Sequence, residues 1–407
     1  MSTGSVVIVG AGHAGGSAAA FLRQYGHEGP VTLIGDEPNL PYQRPPLSKA
    51  WLKGEAGEED LQLRPASFYA EHSVGLRLSA SVLSIDRAAR QVRLDGGLVV
   101  PFDKLSLAMG ARARPLPVPG VELRGVHYLR TAADAEGVKA ELVSGRRLII
   151  VGGGYVGLEV AASARALGAE VTVIERESRL LARVAGEALS DFFFRYHGER
   201  GVRFVLGGSV TAIDGEGGRV SGVRLDRGDR LPCDAVLIGV GALPNQELAL
   251  MAGLACQDGV IVDERALTED PDIYAIGDMT RRPLPLYGRT LRLESVPSAL
   301  EQAKQAAADI TGHKPPAPET PWFWSDQYDL KLQIAGLPFD VDGLIVRGDL
   351  SGAKFAVFQM HGDLIQAVEA VNSPAEFMGG RLLIGQRKPV SREKLADPAV
   401  SMKEVAL

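Results

Sequence analysis

Two stretches of the chain have the same pattern of apolar residues and glycines: Val6-Val7-Ile8-Val9-Gly10-Ala11-Gly12-His13-Ala14-Gly15 and, 142 positions later, Leu148-Ile149-Ile150-Val151-Gly152-Gly153-Gly154-Tyr155-Val156-Gly157. The apolar run at the start of each copy predicts a strand, and the alanine-rich segments that follow predict helices at Ser17 to Tyr25 and at Leu158 to Leu167. A second β-branched strand is predicted at Val31 to Ile34 and at Val171 to Ile174. Each copy is therefore predicted to form a βαβ unit of about 30 residues.

The spacing of the three glycines in each copy is typical of a dinucleotide-binding loop. The first glycine allows a tight turn, the second lets the backbone approach a pyrophosphate, and the third lets the helix pack closely on the strand, while the helix N-terminus attracts the phosphates. The alternative for either copy is a tight strand-to-helix turn without a ligand. The two copies predict two bound dinucleotides, one at Gly10, Gly12 and Gly15 and the other at Gly152, Gly154 and Gly157.

An acidic residue at the end of the second strand of such a unit can accept hydrogen bonds from a ribose hydroxyl. In the second copy this residue is Glu175, which favours NADH over NADPH because a 2'-phosphate would be repelled. In the first copy Gly35 aligns with Glu175, so Asp36 or Glu37 is the ribose ligand, and Asp36 is preferred as the nearer. NADPH is the alternative, because an arginine can bind a 2'-phosphate. Three arginines follow Glu175 closely: Arg176, Arg179 and Arg183.

The composition indicates a globular protein of two to three domains. Of the 407 residues 45% are hydrophobic and 23% charged, which excludes a disordered or fibrous protein. A net charge of -6 argues against general nucleic-acid binding. The first residues lack the features of a secretory signal, and the longest apolar stretch, Leu148 to Leu158, is too short to cross a membrane. The seven histidines show no ligand spacing, so no metal is expected, and two cysteines fit a cytoplasmic setting.

Further motifs give the chain a resemblance to known flavoproteins. They are, in chain order, Arg44-Pro45-Pro46-Leu47-Ser48-Lys49, Tyr155-Val156-Gly157-Leu158-Glu159, Ile273-Tyr274-Ala275-Ile276-Gly277-Asp278, Glu294-Ser295-Val296-Pro297 and Trp322-Phe323-Trp324-Ser325-Asp326-Gln327. With them the chain resembles the FAD-dependent ferredoxin reductases of bacterial oxygenase and cytochrome P450 systems, from about Val6 to beyond residue 390. The resemblance implies an α/β fold with two Rossmann-like dinucleotide-binding domains, for FAD and NAD, plus a smaller α+β C-terminal domain.

The resemblance also implies where the domains lie. Residues 1–109 and 240–316 are expected to form a discontinuous FAD-binding domain, residues 110–239 the NAD-binding domain, and residues 317–407 the C-terminal reductase domain. The run His313-Lys314-Pro315-Pro316-Ala317-Pro318 supports the last boundary independently, because a helix cannot cross so many prolines.

The resemblance further implies which residues contact the cofactors. For FAD they are Gly10, Gly12, Ala14, Gly15, Asp36, Arg44, Pro45, Lys49, Val82, Gly110, Arg130, Gly277, Asp278, Val296 and Trp324. For NADH they are Gly152, Gly154, Tyr155, Val156, Gly157, Glu159, Glu175, Arg183 and Gly241. Lys49 and Glu159 are expected to meet beside the flavin N5 as the catalytic pair, the alternative being a surface lysine and a helix-capping glutamate. Trp324 is expected at the flavin edge, with core packing as its alternative.

The positions of the cysteines restrict the chemistry. Relatives that reduce disulfides carry a redox-active cysteine pair shortly after the first βαβ unit, whereas Pro41 to Trp51 has no cysteine in this chain. Disulfide reduction and single-cysteine oxidase or peroxidase chemistry are therefore excluded, and Cys233 and Cys256 are interpreted as structural thiols. The flavin is then expected to pass electrons from NADH one at a time to an acceptor outside the protein.

The expected function is that of an NADH-dependent ferredoxin reductase whose partner is an acidic [2Fe–2S] ferredoxin serving an oxygenase or a cytochrome P450. Nucleic acid and membrane are not expected as partners. Four arginines are candidates for a basic docking face, or else form a solvated charge cluster: Arg281, Arg282, Arg289 and Arg292. Two alternative functions stay open, an NADH oxidase that uses oxygen and an NADH-sensing flavoprotein of the apoptosis-inducing-factor type.

Overall fold

The computed structural model describes residues 3–407, which form two compact units. The first unit contains the residues up to Gln43, together with Glu58–Arg112 and Leu243–Pro321. The second unit contains Arg44–Gly57, Ala113–Ala242 and Trp322–Leu407. Each unit is thus assembled from three separate pieces of the chain.

The N-terminal part consists of short strands and helices. Its strands are β1 Val6–Val9, β2 Val31–Ile34, β3 Val74–Arg77, β4 Val82–Asp86, β5 Gln91–Leu94, β6 Val99–Pro101, β7 Lys104–Leu107 and β8 Ala111–Ala113. Its helices are α1 His13–Gln24, α2 Ala50–Lys53, α3 Glu58–Leu61 and α4 Ala66–Glu71, and a 3-10 turn spans Pro45–Ser48.

The middle of the chain contains the second copy of the repeat. Its strands are β9 Val126–His127, β10 Arg147–Val151, β11 Glu170–Glu175, β12 Arg203–Leu206, β13 Val210–Glu216, β14 Arg219–Leu225, β15 Arg230–Pro232 and β16 Ala235–Ile238. Its helices are α5 Ala132–Lys139, α6 Tyr155–Ala166 and α7 Glu187–Glu199.

The remaining elements return to the first unit and then complete the second. They are the strands β17 Ala242–Pro244, β18 Val260–Ile261, β19 Ile273–Ala275, β20 Thr280–Leu284 and β21 Arg289–Leu291, with the helices α8 Glu247–Met251 and α9 Val296–Ile310. After residue 321 follow β22 Trp322–Gln327, β23 Leu330–Gly336, β24 Gly343–Asp349, β25 Lys354–His361 and β26 Leu364–Val371, with α10 Pro374–Gln386 and α11 Arg392–Ala396.

Each copy of the repeat lies in a five-stranded parallel sheet. In the first unit the order is β19-β7-β1-β2-β3, and in the second it is β12-β11-β10-β16-β9. The helices α1 and α9 cover the first sheet with small residues such as Ala18 and Ala303, which allow close packing. Because all neighbouring strands run parallel, their carboxyl ends meet at one edge of each sheet.

The C-terminal sheet is antiparallel and has the order β22-β23-β26-β25-β24. The helix α10 packs on it through Phe377 and Leu383, which are buried. Two parallel dinucleotide-type sheets and an antiparallel sheet with helices confirm the predicted fold class. None of the helices among residues 3–407 has the length and apolar character needed to traverse a bilayer.

The helices that follow the glycine loops begin earlier than predicted. The helix predicted from Ser17 begins at His13, and the one predicted from Leu158 begins at Tyr155. Glycine weakens an isolated helix, but here Gly15 and Gly157 lie inside the first turn because they must pack against the strand. The predicted starts were wrong because tertiary packing outweighs local propensity.

The buried Arg347 on β24 fixes the C-terminal residues to the sheet. Its guanidinium donates to the carbonyl oxygens of Asp397 at 2.6 Å, Leu395 at 3.2 Å and Val400 at 2.5 Å. Its Nε pairs with Glu376 at 3.2 Å. A single charge therefore satisfies several backbone acceptors that would otherwise lack partners.

A buried carboxyl group lies on β26, which β25 separates from β24 in the same sheet. Glu369 is 1% exposed, and its Oε1 accepts hydrogen bonds from the Gly186 N–H at 2.8 Å and from Gln359 Nε2 at 3.0 Å. Its Oε2 has no hydrogen-bond partner among residues 3–407. Burial raises the pKa of Glu369 from 4.5 to about 7.

We predict that Glu369→Gln stabilises the protein above neutral pH. Since the folded protein keeps this proton to about pH 7 and the unfolded chain loses it near 4.5, stability falls as the pH rises through that window. The loss at pH 8 is on the order of 3 kcal/mol, and the amide avoids it. Melting temperatures at pH 5 and pH 8 should therefore diverge less in the variant, whereas Glu404→Gln, which changes an exposed side chain, should behave as wild type. Equal pH dependence in all three proteins would contradict the prediction.

Candidate functional site

The first glycine loop connects β1 to α1 with very close backbone contacts. A Cβ atom at Gly10 would lie 2.3 Å from the carbonyl oxygen of Ala108, and one at Gly15 would lie 1.9 Å from the carbonyl oxygen of Gly10. Gly12 caps α1 without a side-chain hydrogen bond, and the first turn carries no acidic residue. No side-chain cap therefore competes with an anion at this helix end.

The residues predicted for FAD in the first unit follow the carboxyl ends of neighbouring parallel strands. Gly110 comes after β7, and Gly277 and Asp278 come after β19. A Cβ atom at Gly277 would lie 3.1 Å from the Cβ of Ala14 on α1, so this turn reaches the first glycine loop. Two further predicted residues begin elements, Val82 in β4 and Val296 in α9.

The two acidic candidates in the first unit differ in their surroundings. Asp36 is exposed just beyond β2, whereas Glu37 is half-buried and its Oε2 accepts a hydrogen bond from the Tyr42 hydroxyl at 2.5 Å. The preceding Gly35 packs against Ala11, since a Cβ atom there would lie 2.5 Å from the Cβ of Ala11. Asp36 therefore stays the predicted ribose ligand, with its carboxylate turned to solvent.

The second glycine loop has the same geometry, and its middle glycine, Gly154, differs from the other two in its surroundings. Cβ atoms at Gly152 and Gly157 would each lie 2.3 Å from a carbonyl oxygen, that of Gly239 and that of Gly152 respectively. Gly154 has an extended backbone that any residue adopts, and a Cβ atom there would meet no protein atom within 4 Å. The protein itself therefore does not require glycine at 154, whereas a pyrophosphate lying against the backbone would.

Glu175 is placed beside this loop by backbone hydrogen bonds. Its Oε2 accepts from the Gly153 N–H at 2.7 Å and its Oε1 from the Glu177 N–H at 2.9 Å. Each carboxylate oxygen can accept a further hydrogen bond, so the group can still bind a ribose hydroxyl. Of the nearby arginines, Arg179 donates to the carbonyl oxygens of Ala182 and Ala185 and so supports its own loop.

Two exposed arginines lie at the carboxyl end of β16. A Cβ atom at Gly241 would lie 3.8 Å from Arg183 Nη2 and 3.7 Å from Arg114 Nε. The structure therefore brings Gly241 and Arg183 together, as predicted for the NADH site, and adds Arg114, which the sequence did not single out. Val156, at the start of α6, is exposed, and Tyr155 beside it packs on Phe323 with ring centroids 4.7 Å apart.

The segment Arg44–Gly57 carries the predicted lysine into the second unit. Arg44 Nη1 donates to the carbonyl oxygen of Arg130 at 2.5 Å, which brings two predicted FAD ligands together. Pro45 opens the 3-10 turn, and Lys49 follows it. The side chain of Lys49 is 17% exposed.

Lys49 and Glu159 form an ion pair in the second unit. Lys49 Nζ lies 2.7 Å from Glu159 Oε2, and Glu159 lies on α6, two residues beyond the third glycine of the loop. Ser48 Oγ donates to the same oxygen at 2.5 Å, and Ser325 Oγ donates to Oε1 at 2.6 Å. Lys49 and Glu159 are therefore brought together as predicted, and their place beside the flavin stays a prediction.

The hydroxyl groups that surround this pair were not predicted from the sequence. Ser48 and Ser325 both lie in motifs that carry the family resemblance, but nothing in those motifs assigns either hydroxyl a role. A signal was present in Ser325 and Gln327, which are two residues apart on a strand and therefore face the same side. Trp324 points to the other face of β22, is partly buried, and has its ring centroid 5.7 Å from that of Trp322.

The suggested docking cluster needs correction. Arg282 is 2% exposed and pairs with Glu301 at 2.8 Å, so it cannot contact a partner. Arg292 is largely buried as well and pairs with Glu294 and Asp258. The sequence places these arginines close together but does not show that Arg282 on β20 and Arg292 just after β21 are turned inward.

The residues present fit the two predicted dinucleotides. Both helix N-termini lack a side-chain cap, both loops have backbone-crowded first and third glycines, and the middle glycine of the second loop faces open space. These features are those required for a pyrophosphate at a helix N-terminus.

The chain is similar to known proteins. The family model described as pyridine nucleotide-disulphide oxidoreductase matches residues 4–303, and the one described as reductase C-terminal matches residues 322–406. The probable ferredoxin reductase CtmF of Castellaniella defragrans is 49% identical over 403 residues, 99% of this chain and 98% of that protein. Putidaredoxin reductase CamA of Pseudomonas putida is 42% identical over 406 residues, 98% and 96% of the two chains. The crystal structure of the covalent putidaredoxin reductase–putidaredoxin complex matches with a TM-score of 0.97 at 42% identity, covering 99% of this chain and 98% of that one.

Two of the glycines in the second loop, Gly154 and Gly157, give a sharp test. We predict that Gly154→Ala folds normally and retains FAD but weakens NADH binding by at least about tenfold, or 1.4 kcal/mol, because its methyl group occupies the path of the pyrophosphate. Gly157→Ala should instead lose stability, since its methyl group would collide with the carbonyl oxygen of Gly152. Titration with NADH under anaerobic conditions and thermal melting separate the two effects. Wild-type affinity in Gly154→Ala would show that no ligand approaches this glycine.

Proposed function

Because the chain belongs to the pyridine nucleotide-disulphide oxidoreductase family, we propose that it is an NADH-dependent, FAD-containing ferredoxin reductase that supplies an oxygenase or a cytochrome P450. The relatives named as ferredoxin and putidaredoxin reductases, matched over nearly their whole length, support this activity. We propose an acidic [2Fe–2S] ferredoxin as the acceptor and the cytoplasm as the compartment.

The observation that carries the proposal is a pair of dinucleotide loops in a chain without a reactive thiol. Of the two cysteines, Cys233 is buried in the core of the second unit, and burial raises its pKa to about 12. Burial also raises the pKa of Cys256. A thiol reacts as its thiolate, so neither cysteine can receive electrons as disulfide reductases require.

We propose that FAD is held by residues 1–109 and 240–316 and NADH by residues 110–239, with residues 317–407 as the C-terminal domain. A bound FAD would supply the ability to accept a hydride as two electrons and to release them singly, as an iron–sulfur carrier requires. The glycine loop at Gly10 to Gly15 and the one at Gly152 to Gly157 hold the two pyrophosphates. Glu175 favours NADH, because its carboxylate repels a 2'-phosphate.

Lys49 is proposed to supply positive charge where negative charge develops during hydride transfer. Glu159 holds its ammonium group at 2.7 Å, and the low exposure of both side chains restricts water around them. A charge fixed before the reaction stabilises the developing charge without reorganisation. The pair thus performs an electrostatic and orienting role, and no side chain needs to form a covalent bond.

The acceptor is tested by NADH consumption in air, with and without an excess of a [2Fe–2S] ferredoxin. We expect the ferredoxin to raise the rate by at least about tenfold, which corresponds to about 1.4 kcal/mol of barrier. Full activity with oxygen alone would replace the proposal with an NADH oxidase. A stable NADH-reduced protein that passes electrons to neither acceptor would favour a sensor.

The role of the lysine is tested by Lys49→Gln, which keeps the size of the side chain but removes its charge. We expect flavin reduction by NADH to slow by on the order of a hundredfold, measured by anaerobic stopped-flow absorbance. Lys53→Gln is the matched control, because Lys53 lies on the same segment and pairs with the exposed Glu55 at 2.6 Å. Equal rates in the two variants would remove Lys49 from the proposed site.

A further inference from the structure

A chain of buried hydrogen bonds runs from Glu159 into the C-terminal sheet and on to α7. Ser325 Oγ lies 2.6 Å from Glu159 Oε1, and Gln327 Nε2 lies 3.1 Å from Ser325 Oγ. Gln327 Oε1 lies 2.7 Å from His197 Nε2. Ser325, Gln327 and His197 are at most 1% exposed. All of these residues belong to the second unit.

Elementary donor and acceptor rules give this chain a direction. An ionised carboxylate only accepts, so the Ser325 hydroxyl must donate to Glu159. That hydroxyl oxygen then accepts from the amide nitrogen of Gln327, which turns the amide oxygen towards His197. Consequently His197 must carry its proton on Nε2. Every donor in the chain points towards Glu159.

The state of the histidine agrees with this direction. Burial lowers the pKa of His197 to about 4, so its ring is neutral at physiological pH and has a single N–H group. With that proton on Nε2, Nδ1 is an acceptor, and the Tyr328 hydroxyl lies 3.4 Å from it. The positive charge of the nearby Arg200 also disfavours a charged ring and so lowers the pKa of His197 further.

The chain is suited to orientation and not to proton transport. A serine or a histidine can pass a proton on, but the amide of Gln327 has no proton-accepting site comparable to an imidazole. Gln327 therefore cannot pass a proton along the chain. Its amide does, however, carry the direction of the hydrogen bonds from His197 to Ser325. Its effect is to fix one rotamer of Glu159, with Oε1 bound to Ser325 and Oε2 free for Ser48 and Lys49.

We propose that Ser325 is a positioning residue of the redox site, and that His197 acts through Gln327 to keep its hydroxyl directed at Glu159. The C-terminal strand β22 thereby sets the geometry of an ion pair that the other pieces of the second unit provide. This inference rests on the proposed function, in which Lys49 and Glu159 lie at the reacting ring.

The proposal is tested by a double-mutant cycle on the FAD-loaded protein with Ser325→Ala, Lys49→Gln and the combination of both. We expect Ser325→Ala to slow flavin reduction by about tenfold to a hundredfold, because a displaced Glu159 misplaces the ammonium group. The dissociation constant of NADH and the FAD content should stay unchanged. In the Lys49→Gln background the same substitution should change the rate by less than about twofold, since its effect passes through the lysine. Ser106→Ala removes another buried hydroxyl, one without a hydrogen-bond partner among residues 3–407, and should behave as wild type.

The outcomes separate this inference from the proposed function. A normal rate in Ser325→Ala with a slow Lys49→Gln overturns the role of Ser325 alone. Equal slowing by Ser325→Ala in both backgrounds shows a general structural defect and also overturns it. A normal rate in Lys49→Gln removes the proposed site itself, and this inference fails with it.

A second measurement decides the matter even if Ser325→Ala does not fold. The tautomer of His197 can be read from the ¹⁵N chemical shifts of histidine-labelled, FAD-loaded wild-type protein, with the signal assigned through His197→Asn. We expect a protonated Nε2 and an unprotonated Nδ1. A proton on Nδ1 would mean that the amide of Gln327 is turned the other way and that the chain does not direct Ser325 to Glu159, which overturns the proposal.

Discussion

Both halves of the repeat depend on one contact between backbone atoms. In each glycine loop the third glycine lies against the carbonyl oxygen of the first, Gly15 against Gly10 and Gly157 against Gly152, with no room for a Cβ atom. This contact sets how closely each helix approaches its strand, and therefore where the helix N-terminus lies above the sheet edge. The acidic residues and the ends of the neighbouring strands can contact a bound dinucleotide only if they lie at the right distance from that helix N-terminus.

Much of this arrangement can be predicted from the sequence because it is local. The repeat predicts two βαβ units, and the parallel sheets follow from them, as does the placing of Gly277 and Gly241 at sheet edges. The helix starts could not be predicted, because the gain from packing Gly15 on its strand is tertiary. The hydrogen bond between Ser325 and Glu159 joins residues 166 positions apart, and no spacing rule relates them.

Charge illustrates a second limit of sequence reasoning. Arg281 to Arg292 look like one basic cluster, but an alternating strand turns Arg282 inward, where Glu301 compensates it. The same alternation places Ser325 and Gln327 inside and Asp326 at the other face of β22. The number of charges in a segment therefore does not show which of them a partner can contact. The alternation of side chains along the strand does show it.

The hydrogen bonds of Arg347 affect the order in which parts of the protein can fold during synthesis. The guanidinium of Arg347 acquires its carbonyl partners only once Leu395, Asp397 and Val400 have been translated. Until then Glu376 alone would compensate this buried guanidinium, and its remaining N–H groups would lack acceptors at a cost of about 1–3 kcal/mol each. We therefore expect β24 to reach its final place only after Val400 has left the ribosome. The glycine loops close on the backbone of Ala108 and Gly239 and so need only residues translated much earlier.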